Sequence, residues 1–116
     1  MLTKSARLTN SADFARTTKS GHRVTTPFFV GYLYLTGLDN PAKCGLIINK
    51  TIGGSVVRHK LARKIRHALS AQLTNLPTGS LLVIRAVGRA EKAQCQLEVE
   101  QLVNKILNKV ENLAKK

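Results

Sequence analysis

The chain has 116 residues, 43% of them apolar, which is enough for one hydrophobic core and too few for two ordinary domains, so a single domain over residues 1–116 is expected. Its 19 Lys and Arg against 6 Asp and Glu give a formal charge of +13, an excess that calls for a polyanionic partner: nucleic acid or, less fittingly, an anionic membrane face. The ordinary apolar fraction and 3 Pro argue against disorder, and the longest nearly apolar stretch, Phe28 to Leu35, is far below the roughly 20 residues of a membrane span.

No apolar block follows the basic start, so a secretory signal is not expected and the cytoplasm is the expected location. In that reducing setting Cys44 and Cys95, far apart in sequence, read as small core residues rather than as a disulfide.

In chain order, Asn10 and Ser11 are capping residues ahead of Ala12, Phe14 and Ala15, and Gly21 closes the stretch. A short helix over about 11–20 is expected, with Leu8 as its hydrophobic staple. From Arg23 to Leu35 the composition turns β-rich. Period two places Phe28, Val30, Tyr32 and Tyr34 on one face, with Phe29, Leu33 and Leu35 on the other. Turn formers from Gly37 to Lys43 lead to a strand at Cys44 to Lys50, and Ile52 to Ser55 forms a loop with two glycines.

Val56 to about Leu73 is the clearest helix, with Ser55 as its cap. Leu76 to Gly79 end it, Ser80 to Val87 reads as a mostly buried strand, and Glu91 to Lys116 as a long amphipathic helix carrying Leu97, Leu102, Val103, Ile106, Leu107, Val110 and Leu113. The order αβββαβα makes an α+β fold, a layered sandwich of helices on a sheet.

Charge is unevenly spread. Between Asn40 and Ala90 there is no acidic residue but nine Lys or Arg, five of them within Arg58 to Arg66. On a helical wheel Val57, Leu61, Ile65, Ala68, Leu69 and Gln72 share an arc of about 120°. His59, Lys60, Arg63, Lys64, Arg66 and His67 take the other side, with Arg58 at the boundary. A merely solvated face mixes signs, because like charges at i,i+4 cost a few tenths of a kcal/mol per pair. Here Lys60 precedes Lys64 by four and Arg63 precedes Arg66 by three with no carboxylate between them, which favours a footprint for a phosphate backbone. The glycines before the helix add an N-terminus open to anions, although the same pair is also ordinary turn chemistry.

Phe14, Phe28, Tyr32 and Tyr34 are most of the aromatics. On a sheet face beside a basic helix they can stack unpaired bases, and Phe14 and Phe28 read equally well as core. Metal and catalytic patterns are missing. His59 and His67 are too far apart for an i,i+4 zinc pair, the carboxylates are scattered, and no phosphate-cradling glycine motif is present. No catalytic and no metal-ligating residue is therefore expected.

Taken in order, RLTNSADFARTTKSGHRV, FFVGYLYL, GLIINKTIGGSVVRHKLARKIRHAL and LLVIRA with a C-terminal amphipathic helix resemble the bacterial ribonuclease P protein family over nearly the whole chain. The family's motif R-N-R-x-K-R-x-x-R reads RHKLARKIR here. Arg58, Arg63 and Arg66 match it, and Lys60 keeps a charge. His59 replaces Asn, and Ala62 replaces Lys with Lys64 as a displaced charge. Phe14 matches an aromatic of the first helix, while Thr18 stands where relatives often carry a second one.

The resemblance implies a two-layer α/β sandwich, a mainly antiparallel sheet with a βαβ crossover of left hand, and a protein that binds RNA while a larger RNA cleaves. It implies that Arg58, His59, Lys60, Arg63, Lys64 and Arg66 contact the catalytic RNA. A cleft holding the 5′ leader of precursor tRNA would include Phe14, Tyr32, Lys50 and Thr51, with Phe28 added from its strand parity with Tyr32. It also implies Mg2+ bound mainly by the RNA, and neither a membrane nor a small-molecule cofactor. A ribosomal or chaperone-like RNA-binding protein and a DNA-binding module with its basic helix in a major groove are the rival classes.

Overall fold

A computed structural model describes residues 7–8, 10–37, 39, 41–88, 90 and 94–114, with the backbone alone for 74 and 111–114. Helix α1, Ser11–Ser20, starts where the Asn10 side chain accepts hydrogen bonds from the amides of Ala12 at 2.8 Å and Asp13 at 3.4 Å. Gly21 ends it, where a Cβ would lie 2.9 Å from the Leu33 carbonyl oxygen. Then come β1 (His22–Thr25), β2 (Phe29–Leu35), β3 (Lys43–Ile47), a 3-10 turn at Lys50–Ile52, α2 (Ser55–Gln72), a second 3-10 turn at Leu73–Asn75, β4 (Ser80–Ala86) and α3 (Cys95–Ala114). The expected start of the last helix at Glu91 lies outside the described residues, as does the Leu113 side chain.

The strand order is β1-β2-β4-β3. β1 and β2 form a hairpin, β2 and β4 are antiparallel, and β3 runs parallel to β4, so α2 is the crossover between two neighbouring strands. One sheet face supplies Phe29, Leu33, Leu82 and Ile84 to the main core. Leu61, Ile65 and Leu69 of α2 and Val99, Leu102, Val103 and Ile106 of α3 close over them. Fully burying each of these side chains contributes about 1.5–3 kcal/mol. α2 and α3 with the sheet are the two expected layers, and α1 lies across part of the opposite face, where Val30, Tyr32, Leu81 and Val83 gather around Leu8. The Lys109 ammonium donates to the Arg23 carbonyl at 2.7 Å and ties α3 to β1. Cys44 and Cys95 are both buried, and no disulfide joins them.

Three local expectations are corrected. Phe28 does not share a face with Tyr32 but packs against the main core. It sits in the turn before β2, where buried Thr26 accepts from the Phe29 amide at 3.1 Å and donates back to the Phe29 carbonyl, so strand parity begins only at Phe29. Val57, placed by the wheel on the buried arc, is 37% exposed and lies against Gly53 at the start of α2. The cap of α2 is Gly54 rather than Ser55, and no side chain caps this helix.

Candidate nucleic-acid interface

Periodicity alone explains how α2 presents its charge. Leu61, Ala62, Ile65, Ala68 and Leu69 are buried, which turns the remaining positions outward. His59, Lys60, Arg63, Lys64 and His67 are exposed, and Arg58 and Arg66 are half-buried. The strip the wheel draws as one surface is two flanks. Arg58, His59 and Arg66 border a cleft of about 320 Å³ against Leu46 and Ile48 at the β3 edge of the sheet. Lys60, Arg63, Lys64 and His67 border a groove of about 1020 Å³ facing α3. Ala62 is buried on the β3 flank, so Lys64 does not restore a charge beside it but moves one to the α3 flank.

On the β3 flank the Arg58 Nε is buried and has no hydrogen-bond partner. A buried unsatisfied donor costs about 1–3 kcal/mol. It stands on the first turn of a helix whose N-terminus carries no side-chain cap, where free amides and the helix dipole favour an anion. A phosphate oxygen would satisfy both at once.

The α1 side of the sheet offers a different surface. A Cβ on Gly45 would overlap the Phe14 ring, so the absent side chain is what lets α1 lie against β3. Phe14 is half-buried there, while Tyr32 is 9% exposed and forms part of the second core cluster. The Arg16 guanidinium lies 6.0 Å from the centre of the Tyr34 ring. Exposed Lys50 and Thr51 follow β3 in the turn that leads to α2. Phe14 and Tyr32 therefore share one face of the sheet, Phe28 lies on the other, and Lys50 and Thr51 lie in the turn between β3 and α2.

Register brings in cations that the sequence reading did not single out. Arg23 is opposite Tyr32, and Arg85 is opposite Val30 on one side and Ile47 on the other, which places both arginines on the α1 face. Both are exposed. The available signal was Arg85, the one charge within the apolar run Ser80 to Val87. Arg23 required knowledge of the pairing.

Among the described residues no cluster of three or more His, Cys, Asp or Glu could hold a metal ion. The side chains of the described residues do not fit a Mg2+ site, and no chemical step is routed through one. Among the described residues no helix is long and apolar enough to cross a membrane.

A sequence model of the ribonuclease P family matches residues 2–111. The chain belongs to the ribonuclease P protein family. It is 32% identical to the ribonuclease P protein component of Streptomyces bikiniensis, over 92% of this chain and 96% of that one. It is 36% identical to that of Mycobacterium sp. strain KMS, over 86% of each. Among solved structures, the Staphylococcus aureus RNase P protein superposes with a TM-score of 0.73 at 25% identity, covering 92% of this chain and 96% of that one. The Thermotoga maritima RNase P protein shares the fold with a TM-score of 0.72, over 86% and 94%. As a ribonuclease P protein component the chain is a subunit of a tRNA-processing ribonucleoprotein, and its partner is an RNA.

Proposed function

We propose that this ribonuclease P protein binds the catalytic RNA through α2 and the 5′ leader of precursor tRNA along the α1 face of the sheet, and so assists the RNA in removing that leader in the cytoplasm. The observation that carries the reading is the run without a carboxylate from Asn40 to Ala90, folded so that its densest part is the outer surface of one helix anchored by five buried side chains. Arg58 and Arg66, with His59, take phosphates on the β3 flank, while Lys60, Arg63 and Lys64 extend the contact to the other flank. Phe14 and Tyr32 border the leader path, Arg23 and Arg85 supply cations along it, and Lys50 and Thr51 join it to the helix.

The physical role is charge relief and placement. A polyanionic RNA repels a polyanionic substrate, and a protein of +13 set between them lowers that repulsion, so less Mg2+ is needed to populate the productive complex. Mg2+ and the hydrolysis itself stay with the RNA, and the protein contributes affinity and orientation.

Reconstitution with a bacterial ribonuclease P RNA at low Mg2+ tests this. Turnover of precursor tRNA is expected to rise, and precursor is expected to bind more tightly than mature tRNA. Cleavage by the protein alone, or turnover unaffected by its addition, would overturn the reading.

A further inference from the structure

We propose that the groove between α2 and α3 receives an unpaired nucleotide of the RNA partner, its phosphates on the α2 wall and its base over Leu97. The inference rests on the RNA-binding reading above and adds to it a site on the flank of α2 that faces away from the sheet edge.

The groove has three properties that together select this occupant. Its α2 wall is cationic, with Lys60, Arg63, Lys64 and the His67 imidazole, against one carboxylate, Glu100, on the α3 wall. The ligand is therefore an anion. Its α3 wall is apolar at one place: Leu97 is 49% exposed, although Val99, Leu102 and Val103 of the same helix are fully buried. A large side chain left open beside a row of cations is suited to a ligand with a flat apolar face joined to a negative backbone, which describes a nucleotide.

Gln94 and Gln96 also border the groove and bring amide donors and acceptors to the edge of a base. A simple phosphate would leave Leu97 and both amides unused. The volume of about 1020 Å³ holds a nucleotide. A base can lie flat over Leu97 only when it is drawn out of a duplex stack. Lys64 lines the groove together with Cys95 and Leu97 of the first turn of α3.

The two flanks of α2 then divide the work. The β3 flank, with Arg58 and Arg66, holds backbone. The α3 flank, with Lys64 and Leu97, holds one base drawn out of the RNA.

The full chain is bound at saturating concentration to a bacterial ribonuclease P RNA, and the RNA is probed with dimethyl sulfate, which reads the exposure of individual bases. Wild-type protein is expected to protect an unpaired base. Leu97→Asp is expected to restore its reactivity at least fivefold and Lys64→Ala to restore it in part, while Gln101→Ala, exposed on α3 outside the groove, leaves it protected. Both altered groove side chains are exposed, and circular dichroism is expected to match wild type.

Identical base protection by wild type and Leu97→Asp would overturn the groove assignment while leaving the proposed function intact. So would protection confined to paired segments, or protection released by polyglutamate but not by a short oligoribonucleotide. Absence of any protection by wild type that filter binding shows to be bound would overturn this inference alone, whereas absence of binding would overturn the proposed function with it.

Discussion

The outer surface of α2 and the trough beside α1 both face the RNA in the proposed complex, yet they are built in opposite ways. The α2 surface comes from one continuous segment: five apolar positions at helical spacing fix it, and every charge on it follows from that spacing. The trough is assembled from residues far apart in the chain. Phe14 reaches it because Gly45 lacks a side chain, and Arg23 and Arg85 reach it through strand register. A single-segment surface keeps its affinity when its neighbours shift, whereas an assembled one depends on every element that frames it.

The largest expected effect separates the two. Replacing Arg58, Arg63 and Arg66 together with Ala is expected to weaken binding of the catalytic RNA by about two orders of magnitude and to reduce the salt slope by about 2, out of roughly 3.5 from five helix cations. Filter binding over a salt series checks this, and an unchanged slope would remove α2 from the interface.

Gly45→Val strikes the other region. Its side chain occupies the place of the Phe14 ring and lifts α1 from β3, so discrimination of precursor over mature tRNA is expected to fall about tenfold while affinity for the catalytic RNA alone changes less than about twofold. If both affinities fell together, the two surfaces would not be separable. A smaller, one-sided effect is expected from Arg85→Ala, which removes one exposed cation from the trough: about threefold in precursor binding, with no change for mature tRNA.

The smallest effect tests what the regions share. β3 turns Cys44 toward the main core and Gly45 toward α1. Burial pushes the Cys44 thiol from 9.0 up to about 12, so the unfolded chain ionises first as pH rises. The associated stability is fully present below about pH 9 and is lost progressively toward pH 12, with roughly 1 kcal/mol gone by pH 9.5. Thermal unfolding between pH 8 and 10 is expected to show this fall in wild type and to lose it in Cys44→Ala.

How far each region could be read from sequence follows from the same contrast. The bounds of α1, most of the buried set of α2 and its cationic arc are local properties, and they emerge from the Asn10 cap and period 3.6. Phe28 misled because a turn residue next to a strand carries the strand's alternation in sequence but not in space. Val57 misled because the wheel describes a face without saying how far along the helix the core beneath it reaches. The split of α2 into two flanks, with Lys64 on the α3 side and Ala62 on the β3 side, depends on what stands to the left and right of the helix. No pattern within the helix records that.

The strand order carries a consequence for how the molecule is made. β2 and β3 are not neighbours in the sheet, and the strand that joins them, β4, comes after α2 in the chain. During synthesis the β1–β2 hairpin and the basic helix therefore exist before the strand that joins them. A nascent chain ending ahead of Ser80 exposes its densest positive charge on a scaffold that has not closed. Insertion of β4 is the event that completes the sheet, and a polyanion already bound to α2 at that moment would act as a folding template as well as a ligand.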